Sequence, residues 1–208
     1  MIYLGKGGQI PYLAKDKITK EVDNLLEECW DGVFPVDVEL LCDGLGVSII
    51  PVPKLNRMFY IDAYVSADFR TIYVDEAEFE KESPRYRFSV AHELGHLLLH
   101  QKYYPSGVKS IDEWLKISRQ IATDNAEFQA NFFAANLLVP SEEFAIALNK
   151  YYNGDFLKNV WLASDGEREK IFNGIRRKFK VSNDVIARRI REVFPEVENE
   201  RSDNEWYN

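Results

Sequence analysis

The chain contains three histidines, all within one run of nine residues, His92-Glu93-Leu94-Gly95-His96-Leu97-Leu98-Leu99-His100. The first five residues form an HExxH pattern. On a helix, residues four apart share a face, one turn apart. The imidazoles of His92 and His96 can therefore converge on one metal ion, with zinc–nitrogen bonds of about 2.0–2.1 Å. Glu93 lies about 100° around such a helix, where its carboxylate can take a proton from water without ligating the ion. Imidazole donors favour zinc, although cobalt, manganese or iron can occupy the same ligands. The competing reading is a pair of core histidines bonded to backbone carbonyls. The flanks weaken it, because Val90, Ala91, Leu94, Leu97, Leu98 and Leu99 supply the buried face and leave His92 and His96 beside a cleft.

A catalytic metal needs a third protein ligand and one open position. His100 lies another turn on, about 6 Å along the axis from His96, so three imidazoles at this spacing cannot meet one ion. The extended pattern HExxHxxGxxH is also broken, because Leu99 stands where Gly is required and Lys102 where the third His is required. His100 reads instead as a helix C-terminal residue or as a support behind a ligand. The third ligand should then be a carboxylate on a neighbouring helix. Glu127, in Asp124-Asn125-Ala126-Glu127-Phe128-Gln129-Ala130-Asn131, is the first candidate, and Asp124, one turn earlier, is its competitor. Phe128, Phe132, Ala135 and Leu138 form an apolar stripe on that helix, and Ala130, Ala134 and Ala135 permit close approach of another helix. Asn131, one turn past Glu127, can accept a hydrogen bond from a ligand imidazole and fix its tautomer.

Taken together, HELGHLLLH and the later run from Glu127 through Ala130-Asn131, Phe133-Ala134-Ala135 and Leu137-Leu138-Val139-Pro140 resemble the ImmA/IrrE family of metallo-endopeptidases. The lead-in Arg87-Phe88-Ser89-Val90-Ala91, the segment Thr71–Asp75, and the later Phe179–Ser182 and Val185–Ile190 fit the same pattern, over roughly residues 35–192. The family usually has Met before the Pro of the second motif, where this chain has Val139. The resemblance implies zinc held by His92, His96 and Glu127, Glu93 as the catalytic base, and a helix-turn-helix transcriptional repressor as the substrate of a regulatory proteolysis.

The elements that must position these residues are legible in outline. Apolar spacing predicts helices over 17–30 and, opened by Pro35, through Leu45, with Gly44 and Gly46 as the stop. Strands are expected at 47–52, 58–65 and 71–75, the last two joined by a hairpin loop at 66–70. The rest reads as helical: 83–101, 118–138, 141–152, 167–179 and 183–194, with an irregular stretch at 103–112. Ser141 and Ser182 are the expected caps. The expected class is α+β, a mostly helical zincin-like domain with about three strands in its N-terminal half. The expected organisation is a helical N-terminal extension (1–34), the peptidase domain (35–195) and an acidic tail (196–208).

Composition narrows the partners. The 208 residues carry a net charge of −8 and are 46% apolar and 29% charged, which fits a globular domain rather than a disordered or fibrous chain. The charge argues against direct nucleic-acid binding, despite a basic segment with Arg176, Arg177, Lys178, Arg188, Arg189 and Arg191. No apolar stretch reaches the roughly 20 residues of a membrane helix, and the N-terminal segment lacks an apolar signal core. A cytoplasmic protein is expected, with Cys29 and Cys42 reduced in the core. The implied chemistry is metal-assisted peptide hydrolysis, with the oxyanion held by a donor such as Tyr60, Tyr64, Tyr73, Tyr103 or Tyr104. The 58–75 hairpin offers an edge against which an extended peptide can pair. Two other readings are a non-hydrolytic metal protein that sequesters a repressor and a stress-response regulator that contacts DNA itself. An intact Glu93 argues against the first.

Overall fold

The computed structural model describes residues 10–104, 113–114, 116–117, 124–152 and 164–193. The chain divides into two compact units, residues 1–138 and 139–208. The first holds helices α1 (Lys15–Cys29) and α2 (Val38–Gly44), strand β1 (Ser48–Val52), the short helix α3 (Leu55–Phe59), strands β2 (Ala63–Val65) and β3 (Thr71–Asp75), and helices α4 (Glu76–Glu80), α5 (Pro84–His100) and α6 (Asp124–Leu138). The second holds α7 (Ser141–Tyr152), α8 (Asp165–Phe179) and α9 (Asn183–Val193). The fold is α+β, with helices predominating and one three-stranded sheet in the N-terminal half. The first part of the expected 118–138 helix, most of the irregular 103–112 stretch and the acidic tail lie outside the described residues.

The sheet order is β1-β3-β2, with β1 parallel and β2 antiparallel to β3. Alternation sets its two faces. Ile72, Val74 and Val65 point into the core, while Ile50, paired with Tyr73, stays exposed. The loop at 66–70 closes the β2–β3 hairpin as the sequence suggests. Its conformation is held by Asp68, whose Oδ1 accepts from the Ser66 hydroxyl and from the Arg70 N–H.

One element departs from expectation. Residues 58–65 are not a single strand: Leu55–Phe59 is helical and only Ala63–Val65 pairs. Lys54 and Tyr60 flank α3 in the left-handed region, at φ 60° and 59°. The Asn56 N–H donates to the Asp75 carboxylate at 3.0 Å, and the Asn56 side chain donates to Asp62 at 2.7 Å. Asp62 also accepts from Arg85 at 2.7 Å. These long-range bonds fix the approach to β2, and no local pattern signals them. The second helix likewise begins at Val38 rather than Pro35, because the Asp37 side chain caps it by accepting from the N–H groups of Glu39 and Leu40.

Helix α5 starts at Pro84, with the Ser83 hydroxyl accepting from the Tyr86 N–H. It packs along α6, which is also flanked by α1. Covered on two sides, α6 buries Ala126, Gln129, Ala130, Phe133, Ala134 and Leu137 completely, whereas Phe128 is 38% exposed. Its buried face is thus broader than the expected Phe128–Leu138 stripe and centred elsewhere. In the second unit, Phe144, Phe179 and Ile190 are core residues. Arg189, expected on a basic face, is instead buried there. Its guanidinium donates to the Val139 carbonyl (2.9 Å), the Ser141 hydroxyl (2.8 Å) and Glu192 (2.6 Å). Ser141 is therefore engaged by Arg189.

Two outcomes follow from this packing. A Cβ built on Gly95 of α5 would stand 3.1 Å from Ala130 Cα, 3.3 Å from the Ala130 carbonyl oxygen and 3.3 Å from Phe133 Cβ. Helix propensity alone would make Gly95→Ala stabilising by about 1 kcal/mol, but the crowded atoms include α6 backbone, and overpacking costs about 1–3 kcal/mol. We expect a net loss in urea denaturation; a gain would show that the helices are not held at this distance. Burial pushes the Cys42 thiol up to about 12, with help from the charges of Asp43, Glu39 and Asp37. At pH 8 iodoacetamide should therefore leave Cys42 unmodified in the folded chain and alkylate it in urea, as peptide mass mapping can read. Equal labelling in both states would contradict its burial.

Candidate metal centre and cleft

Helix α5 presents His92, Glu93, His96 and His100, and α6 presents Glu127, Gln129 and Asn131. Glu127 approaches both ligand histidines: one carboxylate oxygen is 3.4 Å from His92 Nε2 and the other 3.5 Å from His96 Nε2. The two Nε2 atoms are 3.0 Å apart. Tetrahedral zinc with bonds of 2.0–2.1 Å places its ligand atoms roughly 3.3–3.4 Å from one another, and one donor atom from each of the three residues lies within 4.8 Å of the others, close enough for a single ion to draw them together. Two imidazole nitrogens and one carboxylate oxygen are also the donor set of a catalytic zinc site. Among the described residues, His92, His96 and Glu127 form the one group so arranged. Asp124 sits exposed at the start of α6 and is not part of it.

The electrostatics follow from these contacts. The neighbouring imidazoles, His92 first and then His96, hold the Glu127 carboxyl well below the usual carboxylate range. Burial disfavours a charged His92, but the bond to Glu127 and the nearby Glu93 and Glu127 charges outweigh it and raise the His92 pKa. Both imidazoles are backed from behind. His92 Nδ1–H donates to Asn131 Oδ1 at 3.3 Å, the contact expected for Asn131. His96 Nδ1 lies 3.0 Å from Nδ1 of His100, which is completely buried. Burial lowers the His100 pKa to about 4, which keeps that ring neutral near pH 7.

Glu93 stands apart from the ligand group. Its Oε2 accepts from the Val65 N–H at 2.9 Å, and the Val65 carbonyl accepts from Trp114 Nε1 at 2.6 Å. The register explains why Val65 is available. The Asp75 N–H donates to the Asp62 carbonyl and the Ser66 N–H to that of Thr71, which turns the backbone groups of residue 64 in β2, and of residues 62 and 66 at its two ends, toward β3. Ala63 and Val65 then direct their backbone groups to the outer edge. That edge borders a cleft of about 370 Å³, lined by Ile61–Val65, Phe88, Ser89, His92, Glu93, His96, Tyr104, Trp114 and Glu127.

Of the five candidate tyrosines, Tyr64 and Tyr104 line this cleft. Tyr73 stacks on Tyr64, with ring centroids 4.9 Å apart, while Tyr60 projects into solvent at 89% exposure. Tyr60, Tyr73 and Tyr103 are not among the lining residues. Burial, then the neighbouring Tyr73, pushes the Tyr64 hydroxyl up to about 12. Burial, then the charges of Glu93 and Glu127, raises that of Tyr104. Both therefore remain protonated donors near neutral pH.

Sequence reasoning missed three participants: Gln129 behind His100, and Val65 and Trp114 beside Glu93. Gln129 had a usable signal. It falls on the Ala126–Ala130–Phe133 face, and a polar side chain on a buried face needs a partner.

This geometry agrees with the comparison to known families. The model of the IrrE N-terminal-like domain, Peptidase_M78, matches residues 42–191. The chain belongs to this family of metallopeptidases. No curated protein matches it.

Glu127→Ala should weaken zinc binding at least tenfold in a competitive chelator titration, because it deletes one of three converging donors. Asp124→Ala should leave affinity unchanged. The reverse result would transfer the third ligand to Asp124.

Proposed function

We propose that the chain is a zinc-dependent endopeptidase that cleaves a protein substrate, with a helix-turn-helix transcriptional repressor as the substrate class that the family resemblance suggests. The observation that carries this reading is the placement of Glu93. It lies beside the His92–His96–Glu127 group without joining it, and its carboxylate is held by the Val65 N–H. A site that only stored or sequestered metal has no use for a carboxylate so positioned.

His92, His96 and Glu127 would hold the zinc, which when bound acidifies a water and polarises the scissile carbonyl. Glu93 acts as general base. Its Oε2 is anchored on Val65, which leaves Oε1 to take the proton from water and deliver it to the departing amine. The outward N–H and C=O of Ala63 can pair with an extended peptide laid along β2. Such pairing sets the substrate across the mouth of the cleft beside Glu93. Tyr64 and Tyr104, the two tyrosines that line the cleft, then offer hydroxyl donors for the oxyanion. A cytoplasmic setting fits the free thiols of Cys29 and Cys42.

The test is incubation with candidate repressors, with and without a chelator, read by mass spectrometry for cleavage position. Chelator-sensitive cleavage is expected. Glu93→Gln should reduce it by roughly 10²–10⁴-fold, the range for loss of a general base, while zinc stoichiometry stays near one per chain. Undiminished cleavage by Glu93→Gln, or loss of its zinc, would remove Glu93 from the role of base.

A further inference from the structure

Behind the metal-facing atoms runs a chain of hydrogen bonds that ends on the backbone of the N-terminal segment. His96 Nδ1 faces His100 Nδ1 at 3.0 Å, His100 Nε2 faces Gln129 Oε1 at 2.9 Å, and Gln129 Nε2 donates to the Pro11 carbonyl at 2.9 Å. His100 and Gln129 are completely buried, so water does not substitute for either partner. From this chain we infer that Gln129 and His100 are positioning residues that set the tautomer of His96. The inference rests on the metal-site reading above and concerns how one ligand of that site is made ready.

The polarity is forced from one end. A carbonyl oxygen only accepts, so the Gln129 atom turned to Pro11 is the amide nitrogen, and the atom turned to His100 is the amide oxygen. That oxygen also only accepts, so His100 carries its proton on Nε2. His100 is completely buried and its ring nitrogens face an amide oxygen and an imidazole, neither of which carries a charge to balance a cation, so the ring is neutral and its Nδ1 is a bare lone pair. Two lone pairs cannot face each other at 3.0 Å, so His96 carries its proton on Nδ1 and donates it to His100. The remaining lone pair of His96 is on Nε2, the atom directed at His92 and Glu127. A single backbone carbonyl near the N-terminus thereby dictates which nitrogen of His96 is free to bind metal. Without its support, His96 would divide between two tautomers, and only one of them offers Nε2.

The experiment reads the ring nitrogens directly. With three histidines in the chain, long-range proton–nitrogen correlation spectra of the ¹⁵N-labelled, zinc-free protein at pH 8 resolve each tautomer. His96 should be protonated on Nδ1 and His100 on Nε2. His96 protonated on Nε2, or His100 on Nδ1, would overturn the inference. Gln129→Met removes both the acceptor and the donor at similar volume. It should yield a tautomer mixture at His96 and a zinc affinity lowered by about 10–100-fold, the usual cost of losing an outer-shell partner. A Gln129→Met protein that keeps the wild-type His96 tautomer and binds zinc within twofold of wild type would also overturn it. If that variant fails to fold, the wild-type spectrum decides alone. None of these readouts is peptidase activity, so failure of the proposed reaction and failure of this chain are told apart.

Discussion

Everything at the site depends on how closely α5 and α6 approach. The contact is made where Gly95 lies against Ala130, with no Cβ on one side and a single methyl on the other. Three couplings cross this seam: Glu127 to His92 and His96, Asn131 to His92, and Gln129 to His100. Each is a short side chain spanning a short gap. Protein N–H···O hydrogen bonds span about 2.7–3.2 Å, and the contacts of Asn131 and Glu127 already stand at 3.3–3.5 Å, so widening the seam by a few tenths of an ångström would loosen all three together. Gly95 sits inside the HExxH pattern itself, at a position usually regarded as a spacer. Its absent side chain is what lets a second helix supply the third ligand.

A buried cluster of polar groups is costly unless each is partnered. Here the partners are shared out among elements that could not otherwise be tied together. The α6 side chains serve the histidines, while the β2 edge serves Glu93. The division keeps roles distinct. Glu127 is fixed by the imidazoles it faces. Glu93, one residue from His92, is pulled the other way by the Val65 N–H. Two carboxylates close to one centre thus differ in what holds them, and that separates a ligand from a base. Trp114 completes the arrangement by taking up the Val65 carbonyl, so this residue of the edge strand is committed and Ala63 is left for a peptide.

What the sequence shows and what it hides divide along physical lines. His92, Glu93 and His96 are legible because helical periodicity alone brings them together. Asn131 is legible for the same reason once Glu127 is chosen. The choice between Glu127 and Asp124 is not local: both lie on one helix, one turn apart, and only the seam with α5 separates a carboxylate that meets two imidazoles from one that meets solvent. Residues 58–65 were unreadable for a different reason. Met58, Phe59, Tyr60 and Ile61 look like strand, but Asn56, outside the segment, is bonded to Asp62 within it and to Asp75 far beyond it, and Tyr60 adopts a left-handed backbone that a non-glycine residue rarely takes. Such choices are made by tertiary contacts that no window of the sequence contains.

The same distinction explains why polar residues on buried faces are worth more to a functional reading than the apolar ones around them. Arg189 and Gln129 are both almost fully buried, and residue type alone does not tell what either does there. Arg189 spends its guanidinium on a carbonyl, a hydroxyl and a carboxylate within the second unit, so a charge that resembled part of a nucleic-acid face is structural. Gln129 spends its amide on one imidazole and one carbonyl, so it reaches the metal centre at one remove. A buried donor or acceptor must be satisfied wherever it occurs. Following it to its partner separates these cases, because the Arg189 chain closes on its own unit's backbone and side chains, whereas the Gln129 chain runs through His100 to His96, whose other nitrogen faces the metal-binding group.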